Sequence, residues 1–194
     1  MCRPRMIPAM RSAATAPGVA TAAFLLLYGL LAMPLLWLKE AIPGLIAVSL
    51  VLAVALAVLS AIDLNRYQLP DAITLPLAAL GLIVSYGLGM MPLWWSAVSA
   101  GLGFALLAGV GPIYDHVRGR PGLGLGDAKL LAASGAWLGA EAFPTVLLWA
   151  TGAALVCVLV ASRRHTALSG ATRIPFGPFL CFGTWLVWLY GEIQ

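Results

Sequence analysis

Apolar residues run through this chain in long blocks, and the charged residues gather in the short stretches between them. The blocks cover roughly residues 19–38, 43–62, 72–88, 92–113, 127–140, 143–162 and 175–191. A helix needs about 20 apolar residues to cross the hydrocarbon layer, and the first four blocks and the sixth are long enough. The fifth is short, begins at Asp127 and is rich in small residues from Ala132 to Ala136. It is expected either to tilt, buried within the protein, or to start below the membrane surface. Small residues let helices approach closely inside a bundle, which suits a buried position. Lipid satisfies no backbone hydrogen bond, so the segments should be helical throughout. The fold class that follows is all-α: a polytopic transmembrane bundle of about seven helices. Turn residues agree, with Pro43-Gly44, Met91-Pro92 and Phe143-Pro144 at the short connections.

Composition sharpens this picture. Of 194 residues, 62% are hydrophobic and 9% charged, and the mean hydropathy is +0.98. Soluble domains carry about 25% charged residues, and a soluble fold of this size leaves too much surface in water to hide so much apolar area. The net charge of +4 does not point to nucleic acid, because membrane proteins keep Lys and Arg in cytoplasmic loops. Placing the N-terminus in the cytoplasm puts every basic residue except Lys39 on the inner side. Arg3, Arg5 and Arg11 precede the first block, but no small-x-small site closes a short apolar core. That block therefore reads as a retained helix rather than a removable signal. The organisation expected is a short basic cytoplasmic N-terminus, 1–18, and one membrane-embedded unit, 19–194. The longest loops, Tyr114 to Gly126 and Arg163 to Ile174, both fall on the cytoplasmic side, so function is expected there.

Candidate chemistry is sparse. Cys2, Cys157 and Cys181 form no CxxC pair, so neither a zinc site nor a redox motif is signalled, and no metal or cofactor is expected. Of the acidic residues, Glu40, Glu141 and Glu192 lie at outer helix ends, where water solvates them, and Asp115 sits in a polar loop beside His116. Asp71 follows Pro70 at a helix start, which suits an N-cap, with substrate contact as the alternative. Asp63 ends the apolar run from Val51 to Ile62, and Asp127 closes Gly122-Leu123-Gly124-Leu125-Gly126-Asp127. Two carboxylates thus reach the same membrane face from separate helices. One, ionised, can draw a proton from water while the other, protonated, polarises a scissile carbonyl. Like charges about 3 Å apart cannot both ionise, so the pair shares one proton. The glycines before Asp127 give backbone freedom for close approach of an extended substrate. On spacing alone other roles stay open: helix caps, or ion-pair partners of Lys129 and Arg66 in a transporter or an assembly scaffold. A transporter would hold its ionisable groups near mid-bilayer, where none is identified. A dinucleotide-binding reading of the glycines fails, because they follow a membrane helix and not a strand.

Three motifs add to this. Ala61-Ile62-Asp63-Leu64-Asn65-Arg66-Tyr67-Gln68-Leu69-Pro70-Asp71 resembles the IDxxxxxLPD segment of bacterial type IV prepilin peptidases. Gly124-Leu125-Gly126-Asp127-Ala128-Lys129-Leu130-Leu131 is similar to their GxGDxKLL signature, and Arg173-Ile174-Pro175-Phe176-Gly177-Pro178-Phe179 to their last-helix motif. The resemblance implies that Asp63 and Asp127 are the catalytic aspartates. Asp71, Gly124, Gly126, Lys129, Pro175 and Gly177 would then contact substrate or support the site. It further implies a prepilin or pseudopilin substrate of a type IV pilus or type II secretion system. Its basic leader would be cut after a glycine at the cytoplasmic face of the bacterial inner membrane, with no cofactor. Many members carry an N-terminal domain with paired CxxC zinc ligands, associated with N-methylation. This chain has about 18 residues before its first helix and only Cys2 there, so a short peptidase without methyltransferase activity is expected. Asn65 stands where an acidic residue is common.

Overall fold

The computed structural model describes residues 17–38, 43–118, 124–163 and 175–191. Among them are seven α-helices: α1 (Pro17–Leu38), α2 (Pro43–Arg66), α3 (Asp71–Gly87), α4 (Leu93–Arg118), α5 (Leu125–Leu138), α6 (Phe143–Arg163) and α7 (Gly177–Tyr190). A single 3-10 turn, Ala140–Ala142, links α5 to α6. The all-α expectation holds, and each apolar block became one helix. Among the described residues three stretches are long and apolar enough to cross a membrane: Gly44–Arg66, Leu93–Gly111 and Ala140–Arg163. Large apolar side chains such as Leu26, Leu30, Ile83, Leu148 and Val156 stand exposed on the outside of the bundle. That surface suits lipid and not water.

The core is built around α5 and α7, the two 14-residue helices. α5 packs against α3, α4 and α7, while α7 packs against α2, α5 and α6. The short fifth segment is therefore a buried central helix, as its small residues suggested. Its contact with α4 is close enough to exclude side chains at two points. A Cβ at Gly135 would lie 2.6 Å from the Ser99 carbonyl oxygen, and one at Gly103 2.7 Å from that of Leu131. On the far side, the Trp137 ring lies over Gly81 of α3 and its Nε1–H donates to the Leu77 carbonyl at 2.8 Å.

Polar groups inside the bundle are paired, as a medium without water demands. Among the described residues no buried side-chain nitrogen or oxygen lacks a partner. Ser134 and Thr184 bond at 2.7 Å between α5 and α7, and Trp185 donates to the Tyr28 carbonyl at 3.2 Å. The C-terminal end of α5 is closed by neighbours. Ser85 of α3 and Ser96 of α4 both donate to the Ala136 carbonyl, at 2.8 and 2.7 Å. The Ala140 N–H donates to Ser99 Oγ at 3.0 Å.

Two local expectations change. The second helix does not stop at 62 with its apolar block, because α2 continues through Asp63 to Arg66 and closes at Tyr67. Tyr67 has φ 54°, and its N–H donates to the Asp63 carbonyl at 2.8 Å, a left-handed helix stop. Asp71 is not an N-cap: Pro70 holds that position with no side-chain cap bond, and Asp71 is the first residue of α3. Glu141 is exposed, as expected, but also accepts the Trp95 indole N–H at 3.1 Å. The basic N-terminus 1–16, Glu40, Arg120, Gly122, Leu123, Arg164, Arg173, Ile174 and Glu192 lie outside the described residues.

Candidate active site

One end of the bundle gathers the C-terminal end of α2, the loop 67–70 and the N-terminal ends of α3, α5 and α7. A cavity of about 910 Å³ opens there, lined by Asp63, Tyr67, Asp71, Gly124, Asp127 and Lys129 among others. Both aspartates singled out in the sequence line this one cavity. They lie near enough for their charges to repel each other.

Asp63 is 6% exposed. Its Oδ2 accepts the backbone N–H of Gly177 at 3.1 Å. A Cβ at Gly177 would lie 2.6 Å from that oxygen, so a larger residue there would displace the carboxylate. Asp127 is the third residue of α5, half-buried. Its carboxylate turns back to the Gly124 backbone amide, and its own N–H donates to the Gly124 carbonyl at 3.1 Å. This is half of a capping box, and it sets a carboxylate at the positive end of a helix dipole.

The remaining candidates divide by what they touch. Lys129 Nζ lies 2.6 Å from Asp71 Oδ1, with the two side chains 28% and 56% exposed. Lys129 thus pairs with Asp71, and not with Asp127 as the ion-pair alternative had it. Gly126 packs tightly: a Cβ there would meet the Leu69 Cβ at 3.0 Å. Through Leu69 and Asp71 the α2–α3 loop is tied to the start of α5, and this brings the two carboxylate-bearing helix ends together. Gly124 has an extended backbone, φ −82°, with room for a Cβ, so neither freedom nor space demands glycine there. Pro175 is buried just before α7.

Two features escaped the sequence. One is the Gly177 amide on Asp63, whose signal was a glycine directly before Pro178 at a helix start. The other is Tyr67, a left-handed aromatic residue on the cavity wall. Burial and then the Asp63 carboxylate push its phenol pKa above the ordinary value, so at neutral pH it is an uncharged donor. Among the described residues no cluster of three His, Cys, Asp or Glu side chains is placed to hold a metal ion.

Residues 50–159 match the Type IV leader peptidase family. The chain belongs to that family. The family match takes in Asp63 and Asp127, while α7 and Gly177 lie beyond it. Similar proteins include the prepilin leader peptidase/N-methyltransferase of Aeromonas salmonicida, 38% identical over 146 residues, 74% of this chain and 49% of the relative. The protein of that name from Neisseria gonorrhoeae is 35% identical over 164 residues, 83% of this chain and 53% of the relative. That from Burkholderia pseudomallei is 42% identical over 132 residues, 68% of this chain and 42% of the relative. The chain thus spans about half the length of the curated relatives it matches. No solved structure matches it.

Proposed function

We propose that this leader peptidase family member is an aspartic endopeptidase that removes the basic leader from type IV prepilins or pseudopilins. The observation that carries the reading is the delivery of Asp63 and Asp127, from different helices, to one cavity at one end of a membrane bundle. In the reaction, one ionised carboxylate takes a proton from water as the water oxygen bonds to the scissile carbonyl carbon. The other, protonated, hydrogen-bonds the carbonyl oxygen and then gives its proton to the leaving nitrogen as the C–N bond breaks. The leader leaves with a new carboxylate and the pilin with a new amine. A pair that shares one proton is suited to both tasks.

The substrate follows from the names of the relatives and from the motifs. The cut is proposed to fall after a glycine, on the cytoplasmic side of a bacterial inner membrane, a side that the positive-inside distribution of Arg and Lys along the sequence supports. The proposed reaction is cleavage without N-methyl transfer.

The test is cleavage of a purified prepilin in detergent by the wild type, Asp63→Asn and Asp127→Asn, with product mass recorded. Asn keeps shape and removes the ionisable proton. Each substitution is expected to abolish cleavage while the protein stays folded, and the wild-type product is expected to carry an unmethylated N-terminus. Near wild-type cleavage by either variant would overturn the dyad.

A further inference from the structure

A helix begins with four backbone N–H groups that have no partner within it. In α7 those of Gly177 to Phe179 are accounted for. Pro178 has no N–H. Those of Phe179 and Leu180 both donate to the Phe176 carbonyl at 3.1 Å, and that of Gly177 donates to Asp63 Oδ2. Phe176, in the N-cap position, makes no side-chain cap bond. The cap of α7 is therefore the Asp63 carboxylate, reaching over from α2. The fit is steric as well as polar, because a Cβ at Gly177 would also stand 3.0 Å from the Asp63 Cγ. Other polar neighbours are engaged elsewhere: Asn65 donates to the Ala61 carbonyl at 2.7 Å, and Lys129 pairs with Asp71.

Building on the aspartic reading, we propose that the first turn of α7 positions Asp63 for catalysis. The Gly177 N–H engages Oδ2 and fixes the rotation of the carboxylate, which leaves Oδ1 to meet the attacking water and Asp127. Gly177 touches neither water nor peptide in this scheme, so it is a positioning residue. The last-helix motif then has a physical content. Glycine is the residue that lets a helix N-terminus press onto a carboxylate, and the proline after it withdraws a competing donor.

The test compares Gly177→Ala with Gly183→Ala in the full chain. Gly183 lies on the same helix and packs against the Val146 carbonyl of α6, away from Asp63. Misplacing a reacting group by about 1 Å costs about 10²-fold in rate. Gly177→Ala is therefore expected to lower kcat about 10²-fold with KM for prepilin unchanged. Gly183→Ala is expected to lower the melting temperature with kcat kept. A second readout needs no activity: the Gly177 amide-proton resonance in 15N-glycine-labelled protein should move upfield in Asp63→Ala, which removes the acceptor. An unshifted resonance overturns the proposal, whether or not Gly177→Ala folds. So does a Gly177→Ala kcat near wild type, or one that falls only in step with melting as in Gly183→Ala. If Asp63→Asn or Asp127→Asn still cleaves, the aspartic reading itself fails, and the resonance still decides the amide contact. If both abolish cleavage while Gly177→Ala cleaves normally, only the positioning role fails.

Discussion

At the scale of single residues, Asp71 shows how a sequence assigns a residue but not its partner. Its place after Pro70 suggested an N-cap, yet its carboxylate faces Lys129 across the cavity mouth. An exposed pair of this kind adds about 0–1 kcal/mol to stability, so its value lies in tying the α2–α3 loop to α5. Asp71→Asn and Lys129→Met are each expected to reduce kcat/KM, and the double variant is expected to be no worse than either. The cleavage assay measures this; strictly additive losses would mean that Asp71 meets substrate independently of Lys129. Tyr67 makes a second case. A side chain at φ 54° sits in the left-handed region, which costs about 1–2 kcal/mol for ordinary residues. Asn tolerates that region and β-branched residues do not. Tyr67→Val should therefore melt well below Tyr67→Asn in detergent, and equal melting temperatures would show that the strain is relieved elsewhere. Neither the αL stop nor the Gly177 contact was legible in the sequence. Each depends on which backbone lies opposite, and periodicity carries no such information.

At the scale of elements, the apolar blocks marked the helices well, because in lipid the length of a block and the length of a helix are set by the same thickness. Legibility ended at α5. Its small residues indicated burial, but not how a 14-residue helix, about 21 Å long, can stop inside a layer about 30 Å thick. The answer is tertiary. The Ala140 N–H, which would have continued the ladder to the Ala136 carbonyl, goes to Ser99, and Ser85 and Ser96 supply that carbonyl instead. Two donors on one acceptor make a specific forecast. Ser85→Ala and Ser96→Ala should each cost little, since one donor remains. The double variant strands the carbonyl and should cost about 1–3 kcal/mol, more than the sum of the singles. Thermal melting of the three variants in detergent checks it, and simple additivity would refute the shared-acceptor account.

At the scale of the whole molecule, depth connects the fold to its proposed chemistry. Asp63 lies twenty residues beyond Pro43 on α2, which at the helical rise is about 30 Å, the thickness of the hydrocarbon layer. The carboxylate thus falls at the edge of the apolar slab when Pro43 marks the other edge. A peptide bond between a basic leader and an apolar stem would lie at that edge too. Charge alone bears on which side of the membrane this is: among the described residues Arg66, Arg118, Lys129 and Arg163 belong to the helix ends on the side of the cavity. Labelling makes that reading measurable. In a chain with Cys2, Cys157 and Cys181 replaced, a cysteine at exposed Gln68, beside the cavity, is expected to react with a membrane-impermeant maleimide only after the inner membrane is opened. One at exposed Leu88, beyond the opposite end of α3, is expected to react from outside in intact spheroplasts. The reverse pattern would place the dyad outside the cell, where a leader retained in the cytoplasm never reaches it. Labelling of both sites from one side would mean that α3 does not cross, and the seven-segment topology would fall with it.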